Sequence, residues 1–266
     1  MNDLVRRLSL HNRHPMTNID LRHGSYADVL QDQTETLDLI FTSPPYNIGS
    51  KSPRIDGQRK KGKYDPKSYG SITGYADNLP EDEYQRQQIE FLFWAARALK
   101  DDGTLVYNHK PRRKNGVMIH PMQWLLQCPD LTLMEEIVWD RRSTHNHANR
   151  LFWGTTERLY VFRKSEGSYR FLNTDRLEFR DDHWEIPLSS RKATEKSHAC
   201  PFSEKLTVNV IKAFTEPGDL VCDPYSGSGT TAAVAHALGR DFIGSELDRT
   251  YYTQSFNRLQ QTLTNA

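Results

Sequence analysis

Cysteine is scarce in this sequence: three in 266 residues, Cys128, Cys200 and Cys222, far apart and odd in number. No CxxC pair occurs, so neither a disulfide framework nor a zinc site is signalled, and a reducing compartment suits the thiols. Long apolar runs are missing too, none approaching the roughly 20 residues that a membrane span needs. No charged-then-apolar leader opens the chain, so a cytoplasmic protein with no membrane partner is expected. Nor does one sign of charge dominate, because 35 Lys and Arg face 34 Asp and Glu. Repeats and low-complexity tracts are absent. What is present is an ordinary globular composition, 36% hydrophobic and 26% charged, long enough for one sizeable core and a small appended module.

The distribution of charge says more than its sum. Lys51, Arg54, Arg59, Lys60, Lys61, Lys63 and Lys67 crowd one stretch, Lys110, Arg112, Arg113 and Lys114 a second, and Arg141, Arg142, His145, His147 and Arg150 a third. One such cluster reads as a solvated loop. Three of them, two directly after expected strand ends, point to a polyanionic partner.

Short β-type runs alternate with helical patterns, which predicts an α/β sheet. Residues 37–41 read as a buried strand that must stop at Pro44-Pro45, since proline cannot continue a ladder. A long polar loop follows over 47–80, of a length that is usually functional. A helix is predicted from Glu83, with Ile89, Leu92, Phe93, Ala96 and Leu99 on one face and Asp102-Gly103 at its end. Strands are expected over 104–108, 131–139, 159–162, 220–222 and 242–244, and a first short one at Asp20-Leu21. Further helices are expected over 117–127, from Pro201 and Ser203 onward, over 230–238, and from about Arg249. Residues 165–197, polar with isolated aromatics, are the candidate small insertion.

Two motifs carry chemistry. Asp223-Pro224-Tyr225-Ser226-Gly227-Ser228-Gly229-Thr230-Thr231 lies between a strand and a helix. Its glycines let the backbone approach a ligand, and the helix start supplies free N–H groups. Glu246, at the end of the next strand, is placed to accept two ribose hydroxyl hydrogens. No lysine follows the last glycine, so a phosphate P-loop is disfavoured, whereas Gly227-x-Gly229-x-x-Ala232 still leaves a dinucleotide site open.

Thr42-Ser43-Pro44-Pro45-Tyr46 stands at another strand's carboxyl end. The amino nitrogen of cytosine or adenine is a poor nucleophile, because its lone pair is delocalised into the ring. Acceptors aimed at both amino hydrogens favour a pyramidal nitrogen, and Ser43 Oγ and the Pro44 carbonyl are candidates for that role. Charge grows on this nitrogen during methyl transfer, so acceptors held in place stabilise the transition state. Tyr46 offers an aromatic face to a base extruded from the duplex. No strong base is required, because the proton becomes acidic only once the nitrogen carries the methyl.

In that order, the two motifs resemble the amino-methyltransferases of DNA in the circularly permuted arrangement called the β class, where the catalytic tetrapeptide precedes the cofactor loop. Asp101 to Leu105, Ile137 to Asp140, Glu157 to Phe162, His198 to Phe202 and Phe242 to Glu246 resemble further motifs of that family, so the likeness covers most of the chain. The resemblance implies a Rossmann-like fold, a seven-stranded, mostly parallel sheet with helices on both faces, plus a small target-recognition insertion at 165–197. Residues 1–164 would form the catalytic half and 198–266 the cofactor half. It implies S-adenosylmethionine as cofactor, held by Phe41, Thr42, Pro201, Phe202, Asp223, Pro224, Gly227, Ser228, Gly229, Thr230 and Glu246. Catalysis would rest on Ser43, Pro44, Pro45 and Tyr46. Family members often carry Gly-Asp where this chain has Gly24-Ser25.

Serine ahead of Pro-Pro-Tyr is similar to the cytosine-N4 enzymes, while aspartate or asparagine is commoner in adenine-N6 enzymes. The expectation is therefore methylation of cytosine N4, with adenine N6 the alternative. Double-stranded DNA is the expected partner, met by Lys51, Arg54, Lys60, Arg141, Arg142, His145 and His147. His145 and His147 lack a third ligand in view, so they read as DNA-facing rather than metal-binding. Trp139 reads as core. The resemblance leaves a homodimer and a cognate restriction endonuclease open as further partners. Among rival functions, an NAD-dependent oxidoreductase explains the glycine loop but leaves the first motif idle. A non-catalytic DNA-binding protein explains neither motif, and an RNA methyltransferase is the third possibility.

Overall fold

The computed structural model describes residues 17–47, 78–114, 116–143, 152, 154–168, 170, 177–187 and 202–264. Ten strands and six helices follow in the order β1 (Ile19–His23), α1 (Tyr26–Leu30), β2 (Leu37–Thr42), α2 (Glu81–Ala98), β3 (Leu99–His109), β4 (Arg112–Lys114), β5 (Val117–Ile119), α3 (Met122–Leu125), β6 (Leu131–Asp140), β7 (Thr156–Lys164), β8 (His183–Glu185), α4 (Glu204–Phe214), β9 (Leu220–Asp223), α5 (Thr230–Ala237), β10 (Asp241–Glu246) and α6 (Arg249–Thr264). No described helix is long and apolar enough to cross a membrane.

One sheet dominates, with strand order β1-β10-β9-β2-β3-β7-β6-β8. Its pairs are parallel except β3 with β7 and β7 with β6. The mostly parallel α/β sheet expected from the sequence is what forms, with eight strands rather than seven. The extra one, β8, comes from the polar 165–197 segment and pairs Trp184 with Trp139.

Both faces are covered, which is why β2 is buried at all six positions, its polar Asp38 and Thr42 included. Alternation within strands divides the core in two. Ile40, Leu105, Tyr107, Tyr160 and Phe162 pack beneath α1, α2 and α3 through Val29, Phe91, Leu92 and Trp124. Leu39, Phe41, Val106, Leu159 and Val161 pack on the opposite face against Leu206, Val210, Val234 and Leu259 of α4, α5 and α6.

Two local expectations are corrected. Residues 117–127 do not form one helix. Arg112–Lys114 and Val117–Ile119 pair as a hairpin, turned at Gly116 with φ of 79°, and Pro121 then opens a four-residue helix. The glycine's left-handed backbone overrides the apolar spacing. Helix α2 stops at Ala98 instead of at Asp102-Gly103, since Leu99 is already extended (ψ 140°) and pairs with Leu37. The Asp-Asp-Gly segment lies within β3, beside an irregularity in its register with β2.

Candidate active site

Strands β2 and β9 are parallel neighbours at the place where the chain order of the sheet reverses. In open α/β sheets ligands bind outside the carboxyl ends of strands at such a point. Both sequence motifs start there. Thr42, closing β2, donates its hydroxyl to Asp223 Oδ1 at 2.7 Å; Thr231, opening α5, donates to Oδ2 at 2.7 Å; the Tyr225 N–H adds 3.2 Å. Asp223 is 1% exposed, and burial pushes its carboxyl up to about 6 against those bonds. Thus Asp223 acts first as a clamp that joins the two motifs.

The glycine loop is shaped by its neighbours. Gly227 and Gly229 have φ of 54° and 74°, and a Cβ on Gly229 would stand 2.1 Å from Ser255 Oγ. The Ser226 N–H reaches the Ser245 carbonyl at 2.8 Å, and the Gly227 N–H reaches Glu246 Oε2 at 2.8 Å. The other oxygen of Glu246 accepts the Asp248 N–H at 2.8 Å. Burial raises this carboxyl to about 7. Ser226 Oγ is buried without a protein partner, the mark of a loop built to meet something polar. Arg258 of α6 ties the loop to α4 by donating to the Ser228 carbonyl, to Thr230 Oγ1 and to Glu204. Toward β2, Phe202 stacks on the buried Phe41, with centroids 4.4 Å apart.

Around the Ser43–Tyr46 tetrapeptide lies a polar network that the sequence did not reveal. Ser43 Oγ donates to Tyr46 Oη at 3.0 Å. Tyr46 Oη faces Asn108 Oδ1 at 3.0 Å and Glu157 Oε2 at 2.9 Å. Glu157 is also held by Arg141 at 2.8 Å and Lys110 at 3.4 Å. The Tyr46 ring leans on His109 at 4.3 Å between centroids, with Lys110 Nζ 5.2 Å from its own. Pro44 is buried and Ser43 half-buried. Behind them Tyr84 of α2 donates to the Pro45 carbonyl at 2.8 Å and lies 2.9 Å from His109 Nε2. Burial holds His109 well below the ordinary histidine value, and so neutral.

Glu157, Asn108, His109 and Tyr84 escape sequence reasoning for one reason. Each sits at a strand end or helix start whose local pattern looks like ordinary surface or core, and only the antiparallel pairing of β7 with β3 carries Glu157 to the tetrapeptide.

The expected DNA contacts divide. Arg141 is 9% exposed and spends its guanidinium on Glu157 and the Thr155 and Gly154 carbonyls, so it belongs to the network. Arg142 is exposed beside Asp140 and Glu185. Arg112, from the second basic cluster, is buried on Glu81, Tyr84 and Trp124. Lys51, Arg54, Lys60, His145, His147 and Pro201 lie outside the described residues. Trp139 is core, 3% exposed, with its indole N–H on the Ile186 carbonyl. Asp140, His183 and Glu185 offer ligand atoms within 4.8 Å of one another, but Arg142 already compensates two of them.

Residues 37–257 match a family model described as DNA methylase, the N4-cytosine and N6-adenine methyltransferase family. The chain is similar to DNA adenine methyltransferase YhdJ of Escherichia coli (strain K12), at 27% identity over 89% of this chain and 81% of that protein. Its fold is similar to that of PvuII DNA methyltransferase (cytosine-N4-specific), with a TM-score of 0.71 and 22% identity over 91% of this chain and 86% of the other. The M1.HpyAVI–SAM complex is similar too, with a TM-score of 0.61 and 18% identity over 91% and 98%.

Proposed function

This chain belongs to the DNA methylase family that its residues 37–257 match, and on that premise we propose that it methylates the exocyclic N4 of cytosine in double-stranded DNA, with S-adenosylmethionine as donor. The observation that carries the reading is Ser43. It stands with the Pro44 carbonyl at the end of β2, and the Thr42–Asp223 bond ties that strand end to the glycine loop.

The residues present fit the donor. Glu246 offers a carboxylate for a ribose diol, Gly227 and Gly229 keep the loop free of side chains, and the orphaned Ser226 hydroxyl supplies a polar contact. Asp223, Pro224, Ser228, Thr230, Phe41, Thr42 and Phe202 complete the wall, with Pro201 next to Phe202 in the sequence. When bound, the donor supplies an electrophilic methyl on sulfonium.

The chain's own work is on the base. Ser43 Oγ and the Pro44 carbonyl accept the two amino hydrogens and free the nitrogen lone pair, and this demand grows as the nitrogen becomes positive. Pro44 and Pro45 lack N–H groups that would compete for those acceptors. Tyr84, bonded to the Pro45 carbonyl, braces the turn. The Tyr46 ring stacks the flipped base. Phosphate contacts from Lys51, Arg54, Lys60 and Arg142, together with His145 and His147, seat the duplex, and residues 165–197 read its sequence. The order of the motifs, tetrapeptide before cofactor loop, supports reading the chain as a member of the permuted β class.

Adenine N6 is the second reading, favoured by the 27% identity to an adenine enzyme along most of the chain. Incubation of unmethylated genomic DNA with protein and donor, followed by mass spectrometry of nucleosides, decides. N4-methylcytosine is expected; N6-methyladenine replaces it with the second reading, and no methylated base refutes both.

A further inference from the structure

We propose that Glu157 is a positioning residue which, through Tyr46, turns the Ser43 hydroxyl into an acceptor for the target amine; the inference rests on the methyl-transfer reading above. A serine hydroxyl is ambivalent, able to present a proton or a lone pair. An amino group offers hydrogens, so a Ser43 proton aimed at it would repel the substrate and leave the nitrogen planar. An aspartate at this position would accept by its chemistry alone. Serine accepts only when its proton is engaged elsewhere, and the structure engages it: Ser43 Oγ donates to Tyr46 Oη at 3.0 Å.

The direction of that bond is set one step deeper. Tyr46 Oη faces two acceptors, Glu157 Oε2 at 2.9 Å and Asn108 Oδ1 at 3.0 Å. The amide of Asn108 is oriented by its Nδ2 donating to the Arg158 carbonyl at 3.1 Å, which turns Oδ1 toward the phenol. Arg141 and Lys110 both donate to the other oxygen of Glu157, at 2.8 and 3.4 Å, which leaves Oε2 turned to the phenol as an acceptor. The phenol proton therefore points at Glu157 and Asn108, and the phenol oxygen is left to receive the proton of Ser43. Three strands contribute: Asn108 from β3, Glu157 from β7, and the turn after β2. All three converge at one sheet edge, and β7 reaches it because its pairing with β3 is antiparallel.

The arrangement carries a selectivity consequence. An acceptor-only Ser43 favours bases that present an amino group there and disfavours one that presents a carbonyl.

The experiment compares wild type with Tyr46→Phe and Glu157→Gln under single-turnover conditions on one DNA duplex. Phenylalanine keeps the ring face but removes the acceptor for the Ser43 proton; glutamine turns an NH2 toward the phenol. Both variants should lose about tenfold in the rate of methyl transfer, the equivalent of one misdirected hydrogen bond, with DNA KM and donor affinity within about twofold of wild type. The same substitutions are then made over Ser43→Asp and Ser43→Asn, where the side chain holds an acceptor of its own. There Tyr46→Phe should change the rate by less than about twofold. Equal loss in both backgrounds would mean that Tyr46 and Glu157 only support the fold, and the inference would fall. It falls equally if Tyr46→Phe keeps the wild-type rate, or if folded Ser43→Asp and Ser43→Asn transfer no methyl group at all. Absence of methylation by wild type refutes the proposed function instead, so the two failures are separable.

Discussion

Burial raises the Glu246 carboxyl to about 7, so donor affinity should depend on pH near neutrality. A ribose diol donates two hydroxyl hydrogens, and the ionised carboxylate is the form that accepts both; a protonated carboxyl must turn one oxygen into a donor. The fraction of protein competent to bind then falls by the factor 1 + 10^(7 − pH), which weakens affinity about tenfold between pH 8 and pH 6. Isothermal titration of the donor at four pH values reads this directly. Glu246→Gln is the control, because the amide does not titrate: it should bind weakly at every pH and flatten the slope. Any residual break near 6 belongs to Asp223. The sign for stability is the reverse. A carboxyl raised from 4.5 to about 7 binds its proton more tightly in the folded than in the unfolded chain. The protein without donor should therefore lose stability as pH rises through that window, while the thermal shift produced by the donor grows. Donor affinity that is flat from pH 6 to 8 in wild type, or a break near 7 that survives at full size in Glu246→Gln, would refute the reasoning.

Thr42→Val removes one donor from a buried carboxylate; it should cost about 1–3 kcal/mol in urea unfolding and loosen donor binding, since Asp223 joins the two motifs. Gly229→Ala combines a φ of 74° with a Cβ 2.1 Å from Ser255 Oγ, so it should lower Tm and donor affinity together, and Ser255→Gly should recover part of the loss. Arg142→Ala should weaken DNA binding and reduce the salt dependence by about one charge. By contrast Arg141→Ala should act on stability and methyl-transfer rate, because it strips a cation from buried Glu157; filter binding across salt and thermal melts distinguish the two. In a Cys200→Ser background, Cys128 and Cys222 should resist thiol reagents until the protein unfolds, burial holding both thiols above their ordinary value.

Much of this was legible in the linear sequence because it is local. Prolines at 44 and 45 end β2, glycines at 227 and 229 permit a left-handed loop, and apolar runs mark β2, β9 and β10. Each acts through its own backbone, whatever lies nearby. Errors arose where a partner across the sheet decides. The 117–127 segment carries a helical spacing, yet Gly116 and the pairing of Arg112–Lys114 with Val117–Ile119 fold it back as a hairpin. Leu99 completes an apolar helical face but is taken by Leu37 into β3.

Charge shows the boundary most sharply. Arg141 and Arg142 are adjacent and chemically identical, and nothing in the sequence separates them. In the fold, one guanidinium turns inward to Glu157, while the chain bends at Arg142 (φ 58°) and leaves the other at the surface. By itself the sequence determined the strand ends, the glycine loop, the tetrapeptide and their order. Tertiary structure alone decided that Thr42 meets Asp223, that Glu157 reaches Tyr46, and which basic groups are spent inside. A side chain's backbone preferences are its own, whereas the hydrogen-bonding partner of a buried polar group is set by strands that meet only after the sheet has assembled.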